Sequence, residues 1–416
     1  MRKYNYKLLV GSLVALGVSG ASAEDRKPIK VGVVATLSGA FAALGQEAMR
    51  GVEQAMAEAN GSVSGHPIVL TKASSDATPD SAVSAVRKLV ESDGVDLVVG
   101  PLSGDEGIAV KEYAKSHPNV TFVNGTSAAQ DTTLRNPASN FFRFSGDGAQ
   151  WMAGLGRYAF TEKGYRRVAV VAEDYSFPYT QVFGFMTEFC ALGGHVVSKS
   201  WVPIGQKDYS SVVASLPRDI DALFVGLSGA DAVNFLTQMQ QGGIEKPMIA
   251  GTFTADQTIL GAKGRFKKYF IGTPSASPVA DGLDSKGWDD YAATYKAKFP
   301  DGLGSPSLAA YTYYLNTHAL LDGLSRVDGD LADGHVKLNA VLAKLNFDAP
   351  TGGDVHLDAN RQAITDNFVT EVYERSPGLL VNHVVRRIKG VNQTLGMEPA
   401  KFIAMGPASR DNPSCP

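Results

Sequence analysis

A chain of 416 residues, 44% hydrophobic and 19% charged, has room for two domains with sizeable cores and the composition of an ordinary soluble globular protein. Its formal charge of −3 and the lack of a dense Lys/Arg cluster exclude nucleic-acid binding as the organising chemistry. Arg386, Arg387 and Lys389 form only a short basic patch, read as surface decoration.

The first residues differ from the rest. Arg2, Lys3 and Lys7 precede an apolar run over 8–18, and Ala21-Ser22-Ala23 follows as a small-residue cleavage motif. This order predicts an export signal over 1–23, cleaved after Ala23. The run is too short to span roughly 30 Å of hydrocarbon. Cleavage removes three basic side chains and no acidic ones, moving the formal charge from −3 to −6. No cysteine stands at the cleavage site, so a free N-terminus in a bacterial periplasm is expected.

In the mature chain, 29–37 is a nearly unbroken apolar run of strand length, as for a parallel strand covered on both faces. Helix-period spacing follows at Ala48, Met49, Val52, Ala55, Met56 and Ala59, with Gly61 as its stop. Residues 68–71 form the next expected strand. Thr78 is placed to cap a helix with Pro79 in its first turn, where the missing N–H costs nothing. A strand at 95–99, a helix around 106–115 and a strand at 120–123 complete a run typical of an open parallel α/β sheet.

The pattern then restarts. A helix around 151–161 leads to strand 167–172, and the next helix carries Val182, Phe185, Met186, Phe189 and Cys190 on one face. Strands are expected at 196–202, 222–225, 248–250 and 269–271, with a helix marked by Ala232, Phe235, Leu236 and Met239. Two long helices follow, built on Trp288, Tyr291, Tyr295 and Phe299 and on Leu308, Tyr311, Leu315 and Leu320. Segments 347–357 and 364–372 read as late strands. These late blocks are too few for a third domain and fit as additions to the first two.

Cys190 and Cys415 are the only cysteines. Oxidising export permits a disulfide between them, but the apolar helix face around Cys190 equally suits a buried free thiol. Cys415 sits in the Pro-rich tail 406–416, which is able to reach back as a strap.

Signals for catalysis are missing. There is no Gly-x-Ser-x-Gly elbow and no Walker phosphate loop. The seven histidines are widely spaced, with His335 and His356 in polar sequence read as solvated. No enzyme activity, metal or cofactor is expected, and Trp151, Trp201 and Trp288 are read as core.

The stretch 29–65, with Leu37-Ser38-Gly39, Gly45, Gly51 and Asn60-Gly61, resembles the periplasmic leucine/isoleucine/valine-binding proteins, solute receptors of ABC-type uptake. Residues 76–101, from Asp76 through Arg87-Lys88-Leu89 and Val95-Asp96 to Gly100-Pro101, are similar to the same family. The resemblance covers nearly all of the mature chain. It implies a two-lobed α/β fold with a parallel sheet in each lobe and three hinge crossovers. Lobe one would be 28–146 plus 276–349, lobe two 147–275 plus 350–395, with 396–416 as a C-terminal tail. It also implies the partners: a small-molecule ligand and a transmembrane permease with its cytoplasmic ATPase. The protein is expected to be monomeric.

In parallel α/β lobes the loops at strand C-terminal ends face the ligand crevice. Five such loops match the family's binding loops. Phe41 offers an apolar wall in the first, or packs on its own lobe. In the second, the family's carboxylate-binding serine falls on Gly104, with Ser103 beside it, leaving backbone donors. Thr126 and Ser127 are the polar candidates of the third, with helix capping as the alternative. Tyr175 or Phe177 brings the family's aromatic in the fourth. Ser228 and Phe253 stand in the fifth, where amino-acid receptors of the family carry an acid for the ligand ammonium. A buried ammonium without an anionic partner is costly, so Phe253 argues for a carboxylate with an apolar, aromatic body. Asp256 is read as a helix cap. Branched-chain or other amino acids, amides, and a sensor role in signalling are the alternatives.

Overall fold

The computed structural model describes residues 26–415. The predicted leader lies outside them. Two sheets form two lobes. The first contains β1 (Ile29–Thr36), β2 (Ser62–Val63), β3 (His66–Ser75), β4 (Leu97–Val99), β5 (Thr121–Val123) and β6 (Phe141–Phe142), in the order β2-β3-β1-β4-β5-β6. It is parallel except for the β2–β3 hairpin.

Two glycines explain how tightly this lobe is built. A Cβ on Gly45 would lie 1.9 Å from the Thr36 carbonyl oxygen, and one on Gly51 would lie 2.0 Å from that of Ala310. Only glycine lets the helix Ala42–Glu58 lie this close to β1 and to the helix Leu308–Arg326. Thr78 caps the helix Pro79–Arg87 through the Ser81 N–H.

The second sheet contains β7 (Arg167–Glu173), β8 (His195–Val202), β9 (Ala222–Gly226), β10 (Met248–Ala250), β11 (Pro274–Ser277), β12 (Asn346–Asp348), β13 (Asp354–Leu357), β14 (Ala363–Ser376) and β15 (Leu379–Val391). Its order is β12-β13-β14-β11-β10-β9-β7-β8, with β15 on β14. The β7–β11 portion is parallel, and the late strands are antiparallel. The chain crosses to the second sheet after β6, returns to the first lobe after β11 as helices, of which Leu308–Arg326 packs on Ala42–Glu58, and crosses back before β12.

Several expectations fail locally. Residues 269–271 are not a strand; Arg265–Phe270 forms a 3-10 turn that buries both Phe266 and Phe270. The helix expected around 151–161 is broken, because Gly154 takes a φ of +86° between Gly148–Trp151 and Leu155–Thr161. Strand β15 was not anticipated, and it holds the basic patch: Arg387 pairs with Asp366, and Arg386 with Glu162. His335 is buried, with Nδ1 3.0 Å from the Thr121 hydroxyl, not solvated. Cys190 and Cys415 form a disulfide, with their Cα atoms 5.6 Å apart.

Candidate functional site

Strand order places the site. β1 lies between β3 and β4, and β7 lies between β8 and β9, so the loops leaving β1, β4, β7 and β9 diverge at the switch point of each sheet. The two sets of loops face each other and touch. The Ser176 N–H donates to Asp105 Oδ1 at 3.1 Å across the cleft. A Cβ on Gly104 would be 2.6 Å from Ser176 Oγ, and one on Gly229 would be 2.5 Å from the Ala40 carbonyl oxygen. Glycine at both positions allows the lobes to close this far.

Five aromatic rings line the contact. Phe41, from lobe one, lies 6.1 Å from Tyr175, centroid to centroid, and Tyr175 lies 6.2 Å from Phe177. Phe177 meets Phe253 at 5.6 Å and Trp151 at 5.9 Å, both edge to face, and Trp151 meets Phe253 at 6.5 Å. All five side chains are buried. The structure thus brings together Phe41, Tyr175, Phe177 and Phe253, and adds Trp151, whose Nε1–H has no acceptor. A buried indole N–H usually has one.

The polar candidates separate. Ser103 Oγ accepts from the Glu106 N–H and donates to the Ala77 carbonyl, so it caps the helix Gly104–Lys115. The Thr126 hydroxyl is matched to that of Thr312 at 2.6 Å, facing the lobe-one interior. Ser127 is fully buried and its hydroxyl has no partner. It lies at the first turns of the same helix: a Cβ on Gly107 would be 1.7 Å from its oxygen. Ser176 Oγ, beside Gly104, is also buried and unmatched. Gly104 and Gly107 are three residues apart and share a helix face. With the unmatched Thr132 hydroxyl, also beside Gly107, three unmatched hydroxyls therefore flank the positive end of one helix dipole, where N–H groups lack intrahelical acceptors. The Glu106 carboxylate points away from this spot, accepting from the Ser103 and Ala77 N–H groups and the Thr36 hydroxyl.

Acids lie beneath the lobe-two loops. Glu173 ends β7 and accepts from the Ser228 N–H at 2.8 Å, so Ser228 is occupied with it. Burial, with Asp231 nearby, raises the Glu173 carboxyl well above the usual carboxylate range. Asp231, which accepts from the Gly205 N–H, is pushed by burial up to about 6. Asp256 Oδ1 caps the helix Gln257–Leu260 through the Thr258 N–H, and its Oδ2 accepts from the Leu308 N–H at 2.8 Å.

Arg143, fully buried, was not anticipated. Its guanidinium donates to the Ser127 and Ala129 carbonyls at 3.2 and 2.7 Å and to the Thr133 hydroxyl at 2.7 Å, and it lies 3.9 Å from Asp147. It thereby fixes the loop carrying Ser127 from behind. Burial lowers its pKa to about 10, still cationic at neutral pH. A lone Arg among Phe141, Phe142 and Phe144 is the sequence signal that marks it, since an arginine in an apolar run is buried only when paired.

At the rim between the lobes, Ala40, Ala43, Gly229, Val233 and Ile259 line a groove of about 400 Å³. A larger hollow of about 830 Å³ opens on lobe two between Val213, Leu216, Gln238 and Ile244, away from every strand-end loop named above. It carries none of the cleft chemistry, so the loops are the better site. Among the described residues no three His, Cys, Asp or Glu side chains gather to hold a metal ion, and no helix is long and apolar enough to cross a membrane.

Residues 28–376 match the family model described as periplasmic binding protein. The Leu/Ile/Val-binding protein BraC3 of Rhizobium johnstonii is 27% identical over 326 residues, spanning 76% of this chain and 83% of that one. An ABC transporter substrate-binding protein from Sphaerobacter thermophilus superposes with a TM-score of 0.77 at 26% identity, covering 87% of this chain and 98% of the other. A solute-binding protein of an ABC transporter from Rhodopseudomonas palustris, in complex with 3,4-dihydroxybenzoic acid, gives a TM-score of 0.80 at 22% identity, covering 88% and 98%.

Proposed function

The chain belongs to the periplasmic binding protein family of ABC-transporter solute receptors, a non-catalytic class that clamps a small ligand between two lobes, and from that premise we propose that its ligand is a carboxylate with an aromatic body. One observation carries this reading. Two unmatched serine hydroxyls at a helix N-terminus stand against a wall of five aromatic rings.

In this reading Ser127 and Ser176 donate to the carboxylate, and the first N–H groups of the helix Gly104–Lys115 complete its seat. Trp151, Phe177 and Phe253 enclose the ring, with Phe41 and Tyr175 closing it from the rim. Because Ser176 belongs to lobe two, the carboxylate receives both hydroxyls only in the closed form. Ligand binding then favours closure by the difference in affinity between the two states. The closed receptor is the form handed to a membrane permease driven by its ATPase. Family membership supports a periplasmic location for this step.

A second reading has its own support. The Rhizobium relative is named for leucine, isoleucine and valine, and Glu173 lies under Tyr175, where an α-ammonium would find an acid. Burial favours the neutral form of that acid, which speaks for the first reading. Calorimetric titration of the parent and Glu173→Gln with benzoate, 4-hydroxybenzoate and L-leucine separates the two. The proposal expects saturable binding of an aromatic acid, little changed by Glu173→Gln. Tight L-leucine binding that Glu173→Gln abolishes would replace it with the amino-acid reading.

A further inference from the structure

The tail after β15 is anchored at both lobes and at the ligand-gripping loop. Phe402, on the short helix Pro399–Ala404, is fully buried between Leu134, from the segment after β5, and Phe183, from lobe two, with the Phe183 ring 5.6 Å away edge to face. Arg135, next to Leu134, donates to the Ile403 carbonyl at 3.4 Å. Further along, Arg410 Nε donates to Asp174 Oδ1 at 2.7 Å, and its Nη2 binds the other oxygen of the same carboxylate. Tyr179 hydrogen-bonds Asp174 as well, and the Trp201 indole N–H donates to the Arg410 carbonyl at 3.2 Å. Five residues past Arg410, Cys415 is joined to Cys190 on the helix Ser176–Ala191.

Asp174 immediately precedes Tyr175, Ser176 and Phe177. We propose that the C-terminal strap is a brace for this loop, with Arg410 as its positioning residue and the Cys190–Cys415 disulfide as the anchor that keeps Arg410 in place. An exposed Arg–Asp pair on a free tail contributes little, since ordering the tail offsets it. Tethering the tail a few residues away converts the contact into an intramolecular one at high effective concentration. The loop is then held in its gripping geometry before ligand arrives, and the disulfide couples the oxidation state of the tail to ligand affinity. This coupling rests on the reading that Ser176 and Phe177 contact the ligand; the bracing does not.

The test uses the full mature chain as parent, Arg410→Ala, Arg410→Lys and the Cys190→Ser/Cys415→Ser double variant, the parent also after reduction with a phosphine. Hydrogen exchange of residues 174–177 is measured without ligand, and affinity for 4-hydroxybenzoate, benzoate and L-leucine by calorimetry. The brace predicts faster exchange in 174–177 in Arg410→Ala, in the double variant and in the reduced parent, with partial recovery in Arg410→Lys. It predicts binding about fivefold weaker in Arg410→Ala, an equal or larger loss in the double variant, and no added loss when Arg410→Ala is placed on that background. Unchanged exchange in 174–177 with only a lowered melting temperature would overturn it, leaving the strap a plain stabiliser. Undiminished additivity of the Arg410→Ala loss would do the same. A parent that binds none of the three ligands while its loop still loosens on reduction would overturn the ligand reading and the affinity coupling, but uphold the brace.

Discussion

The two faces of the cleft are built on opposite principles. The lobe-one face is small and polar: Gly104 and Gly107 leave the start of a helix bare, Ser127 stands at its side, and the buried Arg143 fixes the loop from beneath. The lobe-two face is large and apolar, with Trp151, Tyr175, Phe177 and Phe253 over acids whose pKa burial raises, Glu173 well above the usual carboxylate range and Asp231 to about 6. A parallel sheet provides such loops in either lobe; the side chains decide which end of a ligand each lobe is suited to take. Two residues cross this division: Phe41, a lobe-one ring that meets Tyr175, and Ser176, a lobe-two hydroxyl in the space that a lobe-one side chain at position 104 would fill.

The largest effect is expected at Arg143, which the lobe-one face depends on. Arg143→Ala leaves Asp147 without its cation and takes the guanidinium donors from the Ser127 and Ala129 carbonyls and the Thr133 hydroxyl. It is expected to cost about 3–5 kcal/mol of stability, read from urea unfolding of the mature chain. A loss under about 1 kcal/mol would mean that water or a neighbour takes over these partners, and that lobe one does not depend on the ion. Phe177→Ala removes the ring shared by both ends of the aromatic wall. Affinity for the best-bound aromatic acid should fall by about 2 kcal/mol, roughly thirtyfold, with a smaller change for any short aliphatic acid that binds. Equal losses for both would make Phe177 a packing residue only.

The smallest expected effect concerns the raised pKa of Asp231 beneath the lobe-two loops. Asp231 has a folded pKa of about 6, above the value of about 3.9 expected unfolded. The native state therefore holds a proton that the unfolded chain releases, and this group's contribution to stability is full below about pH 4 and declines until about pH 6. Asp231→Asn, which keeps an acceptor for the Gly205 N–H, should flatten the stability slope over that window relative to the parent. An unchanged slope would show that Asp231 ionises as freely in the fold as outside it.

Much of the frame was legible in the sequence because its causes are local. Thr78-Pro79 announced a helix start and the structure forms that cap. The glycines at 45 and 51, which carried the family resemblance, sit where backbone oxygens leave no room for a side chain. The loops followed once the apolar strand runs were placed. What was hidden depends on contacts between distant segments. Trp151 reads as core until the bend at Gly154 places it against Phe177 and Phe253. Ser176 gains meaning only beside Gly104. Strand β15 carries its basic side chains on an exposed edge and shows no apolar alternation strong enough to announce it. The cysteines are 225 residues apart, and nothing local distinguishes a pair from two thiols.

The most direct test is a crystal structure of the mature protein with the tightest-binding aromatic acid. The account predicts ligand density in the closed cleft, its carboxylate within hydrogen-bond distance of the Ser127 and Ser176 hydroxyls and its ring among Trp151, Phe177 and Phe253. A carboxylate seated elsewhere, or an occupied site in the hollow beside Val213 and Ile244 with the strand-end loops empty, would contradict it.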